Sequence, residues 1–244
     1  MSAKGKNTSP AKATARMASN SPSAKNEGRR ENMLDTPRSL GNEQHRLDRI
    51  ARLQKPHITD LTAFVETIRT ETNRGDNVPY FDPEDCGIHA ECLFLLEAPG
   101  RNAISSGFVS RDNPDCTAEN WFRANKLANI DRTKTLMWNI VPWYIGQNGK
   151  ILPAKKADID AGWEWLLDLL TLLHRQSPGS LRVVVLVGRK AQKVEQRLLD
   201  ARKDLHVMRC PHPSPSFINR DVENNWNYLL SELEDVSCGL TEVK

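Results

Sequence analysis

The sequence predicts an α/β fold: a three-layer α/β/α sandwich with a central, mostly parallel four-stranded sheet. Short apolar runs recur at residues 92–96, 135–140, 182–187 and 206–209, each too short to be a globular helix. Stretches of helical periodicity alternate with them, at 118–128, 159–174, 190–201 and 222–233. Strands separated by helices pair in parallel through right-handed crossovers, which puts helices on both faces of one sheet.

Taken in chain order, residues 1–40 are mostly Ser, Ala, Lys, Asn, Thr and Pro with almost no large apolar side chain, so burial cannot offset the entropy of ordering them. They read as a solvated basic tail, with a transit peptide as the alternative. The domain is expected over 41–244. From Glu43 a helix is predicted with Leu47, Ile50 and Leu53 on one face, followed by a second through Leu61, Phe64, Val65 and Ile68, capped by Thr59. In the helix over 159–174 the core-facing stripe is Ile159, Trp163, Leu166, Leu167 and Leu170. Trp163 and Trp165 are two apart and face different sides, and with Trp138, Trp143 and Trp226 they read as packing.

Charge and composition exclude several classes. Residues 1–40 hold eight Lys and Arg against three acidic side chains, more than the whole net charge of +3, so the body is mildly acidic and can hold a polyanion only through a local basic cluster. No apolar run approaches the roughly 18 residues needed to cross a bilayer, and no apolar signal core follows Met1. Five scattered cysteines do not make a disulfide framework. A monomer in a reducing, cytoplasmic setting without membrane contact is expected.

In such a sheet, ligands bind beyond the carboxyl ends of the strands. Three segments fall there: Glu97-Ala98-Pro99-Gly100-Arg101-Asn102, Asn139-Ile140-Val141-Pro142-Trp143-Tyr144 and Pro211-His212-Pro213-Ser214-Pro215-Ser216. In that order they resemble the uracil-DNA glycosylase superfamily. Leu96-Glu97-Ala98-Pro99-Gly100 looks like the Gly-Glu-Ala-Pro-Gly motif of its iron–sulfur type members, and His212-Pro213-Ser214-Pro215 looks like their His-Pro-Ser-Pro motif. The resemblance covers about residues 92–233. It implies a partner, DNA carrying uracil or another deaminated base, and places the uracil-binding residues at Ala98, Phe108 and Asn139, Phe108 as the aromatic that stacks on the extruded base. Two departures stand out: Leu96 replaces the motif's first glycine, and Cys86, Cys92, Cys116, Cys210 and Cys238 contain no Cys-x-x-Cys pair. A cluster needs four convergent thiolates, so no cofactor and no metal are expected.

The residue types suit this chemistry. Breaking an N-glycosidic bond leaves an oxocarbenium-like sugar and an anionic base, which calls for a carboxylate beneath the sugar, a positioned water and a donor to the base. Glu97 suits the first two roles, or else is a loop acid bonded to nearby backbone N–H groups. His212, held between prolines, suits the third as a neutral imidazole, or else is structural. The Asn139 amide complements the O4 and N3–H edge of uracil, or else satisfies backbone at a strand end. Arg101, Ser214, Ser216, Phe217 and Arg220 are candidate DNA contacts, with Phe217 at an apolar tip that can wedge into the base stack; packing of that loop on the body, with Asp221 capping the last helix, is the alternative. Ser105, Ser106, Ser110 and Arg111 are weaker phosphate candidates, and Gly188-Arg189-Lys190 opens a helix that can hold an anion. The reading is a monofunctional DNA glycosylase. A nucleic-acid-binding module that keeps the base pocket without efficient catalysis is the alternative, and a nucleotide hydrolase ranks last for want of a phosphate loop or carboxylate cluster.

Overall fold

Five-residue strands whose side chains are buried on both faces define the centre of the molecule. The computed structural model describes residues 1–2, 36–147 and 151–241. The chain divides into two units, Met1–Met33 and Leu34–Lys244, and every element below belongs to the second. The predicted basic tail therefore falls, from residue 3 to residue 35, outside the described residues.

Strands β2 (Cys92–Leu96), β4 (Thr135–Asn139), β5 (Val183–Val187) and β6 (His206–Cys210) form one parallel sheet in the order β4-β2-β5-β6. β1 (Tyr80–Phe81) and β3 (Phe108–Val109) pair separately, also in parallel. The helices are α1 (Glu43–Ile50), α2 (Thr59–Glu71), α3 (Arg101–Ser106), α4 (Cys116–Leu127), α5 (Lys156–Gln176), α6 (Glu195–Ala201), α7 (Pro215–Ile218) and α8 (Val222–Thr241).

The topology dictates which face each helix covers. From β2 the chain moves one way to β4 and then back past β2 to β5 and β6, so right-handed crossovers must put α4 on one face and α5 and α6 on the other. Ring contacts agree. Phe94 of β2 meets Trp121 of α4 edge-on, centroids 4.9 Å apart, whereas Trp138 of β4 points the opposite way toward Phe64 of α2, which in turn meets Trp165 of α5. α6 joins α5 through Arg197, whose guanidinium lies over Trp163 and pairs with Asp160 at 2.9 Å. α8 packs on α4 and on the β5–β6 side.

Several local expectations are corrected. Thr59 is the first residue of α2, not its cap; the cap position is Ile58 and no side chain bonds there. On α1 the expected apolar face is turned outward, with Leu47 and Ile50 about half exposed, while Leu53 beyond its end is buried. The buried residue of α1 is Arg49, which pairs with Asp82 and, at 2.5 Å, with Asp112. Arg132 completes the cluster, reaching Asp82 at 2.7 Å and Asp85 and Asp112 at 2.8 Å. Burial opposes the Asp82 charge, but Arg49 and Arg132 outweigh it and hold this carboxyl well below its ordinary value; burial pushes Asp85 up to about 7 and also raises Asp112. Buried Arg49 and Arg132 thus serve three buried acids, with buried Arg111 also acting on Asp85, and the charge demand of Asp82 and Asp112 overrides the apolar pattern of α1. The folded domain also starts before the expected boundary at 41: Ser39–Gly41 forms a 3₁₀ turn and Leu40 is buried against Leu53 and Phe108.

Candidate active site

Because all four strands are parallel, their carboxyl ends lie along one edge, and the loops leaving β2, β4 and β6 meet there. They enclose a cavity of about 380 Å³ whose walls include Glu97, Ala98, Arg101, Asn102, Val109, Asp115, Trp121, Met137, Asn139, Ile151, Leu152 and His212. That volume lies at the low end of ligand pockets.

Asn139 ends β4 opposite Leu96 in the ladder and is 3% exposed. Its side-chain nitrogen is buried without a hydrogen-bond partner. A buried amide nitrogen left unpaired costs about 1–3 kcal/mol, so its place in a cavity wall calls for an occupant that accepts its proton. The backbone around it is pinned: Ile140 N–H donates to Leu96 O at 2.8 Å and Val141 N–H to Glu97 O at 3.0 Å. On the outer side α5 comes so near that a Cβ on Gly162 would sit 2.0 Å from Ile140 O, so only glycine fits there.

Glu97 follows β2 and is half-buried. Its Oε1 accepts the backbone N–H of Ala154 at 2.5 Å, which fixes one carboxylate oxygen. His212 follows β6, and its Nδ1 accepts the Ser214 backbone N–H at 3.2 Å. That bond assigns the proton of the neutral ring to Nε2. Burial lowers the His212 pKa, with Asp115 pulling the other way, which favours the neutral ring. Its loop is anchored by Asn120, which donates to Pro213 O at 2.9 Å, and by Gly188, where φ is +84° and a Cβ would crowd the His212 side chain at 3.0 Å.

The structure brings Glu97, Ala98, Arg101, Asn139 and His212 together around one cavity. It does not bring Phe108 there. Phe108 pairs with Tyr80 in the β1–β3 ladder, and its ring is wholly buried against Leu40, Leu53 and Tyr80. Strand alternation gives the next residue, Val109, to the cavity instead. Ser214, Ser216, Phe217 and Arg220 line a second cavity of about 450 Å³ with Arg189 and Tyr228, and His212 belongs to the walls of both. Ser216 and Arg220 are exposed, while Phe217 is half-buried and packed on the core; Asp221 accepts the Asn224 N–H at 3.3 Å, as the capping alternative expected. Among the weaker candidates, Ser106, Ser110 and Arg111 are buried, Ser106 bonding Asn113 at 2.6 Å and Ser110 bonding Asp82, whereas Ser105 is exposed.

Sequence reasoning placed Asn102 at this edge without giving it a role, and missed Asp115, Trp121, Met137 and the pair Ile151 and Leu152. Position alone offered a signal for the last two, since any loop leaving the carboxyl end of a strand borders this edge. The cysteines do not fit an iron–sulfur cluster. Cys92 and Cys210 occupy opposite ends of the sheet, burial raises both thiols and pushes Cys86 up to about 11, and Cys116 and Cys238 are exposed. Among the described residues no three His, Cys, Asp or Glu side chains stand close enough to hold a metal, and no helix is long and apolar enough to cross a membrane.

Comparison with known proteins gives a family match. The model of the uracil DNA glycosylase superfamily matches residues 83–232. Among solved structures, the chain is similar to the solution NMR structure of a candidate uracil DNA glycosylase from Methanosarcina acetivorans, at 17% identity over 61% of this chain and 92% of that one, with a TM-score of 0.34. No curated protein matches.

Proposed function

This chain belongs to the uracil DNA glycosylase superfamily, and from that premise we propose that it is a monofunctional DNA glycosylase that flips uracil out of DNA and hydrolyses its N-glycosidic bond to leave an abasic site. The observation that carries the choice of base is the unpaired, buried side-chain nitrogen of Asn139 in the cavity wall. Uracil presents O4 to accept from that nitrogen and N3–H to donate to Oδ1; cytosine presents the reverse pattern.

The remaining residues divide the reaction. As the C1′–N1 bond lengthens, positive charge builds on the sugar and negative charge on the base. The Glu97 carboxylate stabilises the former, orients the attacking water and takes its proton as the C1′–O bond forms. His212 donates its Nε2 hydrogen bond to the carbonyl oxygen on which negative charge accumulates. A neutral ring is the right donor, because its weakly acidic N–H stabilises the oxygen as negative charge builds there while keeping its own proton. Arg101 at the cavity mouth and Ser214, Ser216 and Arg220 around the neighbouring cavity supply phosphate contacts, and the apolar Phe217 faces the gap left in the stack. Val109, Trp121 and Met137 replace Phe108 as the apolar enclosure of the base.

The test is single-turnover excision from a uracil-containing oligonucleotide, read by cleavage at the abasic product. Glu97→Gln should slow excision about 10²-fold or more while affinity changes by no more than a few fold. DNA binding without excision by the unaltered protein would instead establish a base-binding module.

A further inference from the structure

The segment entering α5, which follows β4, ties the loops after β2 and β5 to a single residue. Ala154 is 3% exposed, and both of its backbone polar groups are held by side chains from other loops. Its N–H donates to Glu97 Oε1 at 2.5 Å, and its carbonyl accepts from Lys190 Nζ at 2.8 Å. Glu97 follows β2 and Lys190 follows β5. On the C-terminal side Lys155 N–H bonds Asp158 in the first turn of α5 at 2.9 Å, and on the N-terminal side Ile151 and Leu152 form part of the cavity wall.

We propose that Lys190 is a positioning residue for Glu97, acting through the backbone of Ala154. This rests on the reading of Glu97 as the group beneath the sugar. The ammonium bonds the Ala154 carbonyl and not the carboxylate, so Lys190 fixes the donor that holds Glu97 without pairing with its charge. The distinction matters chemically: a direct ion pair would quench the charge that a sugar cation needs, whereas an N–H on one oxygen orients the carboxylate and leaves the other oxygen for water. Without Lys190 the segment keeps its covalent path but has only one of its two anchors, and a displacement of Glu97 by a fraction of an ångström is enough to degrade catalysis.

The experiment combines a cycle of variants with a readout independent of activity. In the full-length protein without DNA, exchange of the Ala154 amide proton followed by NMR should quicken in Lys190→Met and stay close to the unaltered protein in Lys190→Arg; unchanged exchange in Lys190→Met overturns the proposal, whatever happens to any base. At saturating DNA, Lys190→Met should slow single-turnover excision about tenfold, yet change the rate less than about twofold when added to Glu97→Gln, because the group it positions is then gone. Equal slowing in both backgrounds means that Lys190 acts independently of Glu97 and overturns the proposal. A higher half-saturating DNA concentration with an unchanged saturating rate also overturns it, by making Lys190 a phosphate contact. Failure of the parent reading looks different: Glu97→Gln itself would excise as fast as the unaltered protein, and the exchange measurement would still decide the role of Lys190.

Discussion

Gly162 sits where helix α5 meets the end of strand β4, and replacing it with alanine sets two effects of opposite sign against each other. In an isolated helix, Gly→Ala stabilises by about 1 kcal/mol. Here the new methyl would lie 2.0 Å from Ile140 O, 3.0 Å from Ile140 C and 3.1 Å from Val141 Cα. Reaching ordinary van der Waals separation requires helix and strand end to part by more than an ångström, and overpacking of this kind costs roughly 1–3 kcal/mol. Sterics should win by up to about 2 kcal/mol, which for a chain of this length lowers Tm by a few degrees, at most about 8 °C. Catalysis should suffer more. Ile140 N–H and Val141 N–H bond the carbonyls of Leu96 and Glu97, so the strain falls on the backbone of Asn139 and Glu97 together, and a misplacement approaching 1 Å can cost about 10²-fold in rate. Thermal unfolding and single-turnover excision on Gly162→Ala measure the two effects separately. A variant with raised Tm and unchanged excision would refute the close approach of α5 and with it this account of how Asn139 is held.

Further outcomes follow from the same geometry. Asn139→Asp presents acceptors where uracil needs a donor, so the ratio of uracil to cytosine excision should fall by at least about tenfold, measured on matched oligonucleotides. Because burial lowers the native pKa of His212, the unfolded chain binds a proton there that the native state refuses, and stability should decline as pH falls from 7 through 6.5 toward the native pKa. Denaturant titrations of His212→Gln should lack that part of the decline; identical slopes would mean that folding does not shift the titration of the ring. Arg132→Met leaves buried carboxylates short of a cation and should destabilise by about 3–5 kcal/mol, read from urea midpoints. Deleting residues 1–35 should leave excision at saturating DNA intact and flatten the salt dependence of DNA binding by about one unit for each phosphate the tail had neutralised; superimposable titrations would exclude the tail as a DNA-binding element.

Three strands of the main sheet, β2, β4 and β5, were legible to within a residue because both of their faces are buried, so the apolar runs at 92–96 and 182–187 have no competing pattern, whereas β6 at the sheet edge leaves His206 and Arg209 exposed. Glu97, Asn139 and His212 could be placed together because strand ends in a parallel sheet share an edge. Where reasoning failed, the deciding partner was distant in sequence or the decision hung on parity. Nothing local says that α1 buries Arg49 in place of Leu47; that preference comes from Asp82 and Asp112, 33 and 63 residues away. Phe108 and Val109 differ by one position, yet strand alternation sends one ring to the core and the other side chain to the cavity. Ala154 carries no side-chain chemistry at all, so its two backbone bonds left no trace in the sequence.

The buried charges beneath the β1 side of the molecule bear on where the domain can be cut. The stretch that matches the family begins at residue 83, yet Arg49 and Asp82 lie before it, as do Leu61, Val65 and Ile68 of α2, all fully buried. A fragment trimmed to the matched residues would keep Arg132 facing Asp85 and Asp112 while discarding Arg49 and exposing the face of Trp138 that Phe64 and Phe81 cover. With total stabilities of only about 5–15 kcal/mol, such a fragment would not hold its fold. Family resemblance and autonomous folding therefore have different borders in this protein, and an excised core that keeps its shape must begin no later than the 3₁₀ turn at Ser39.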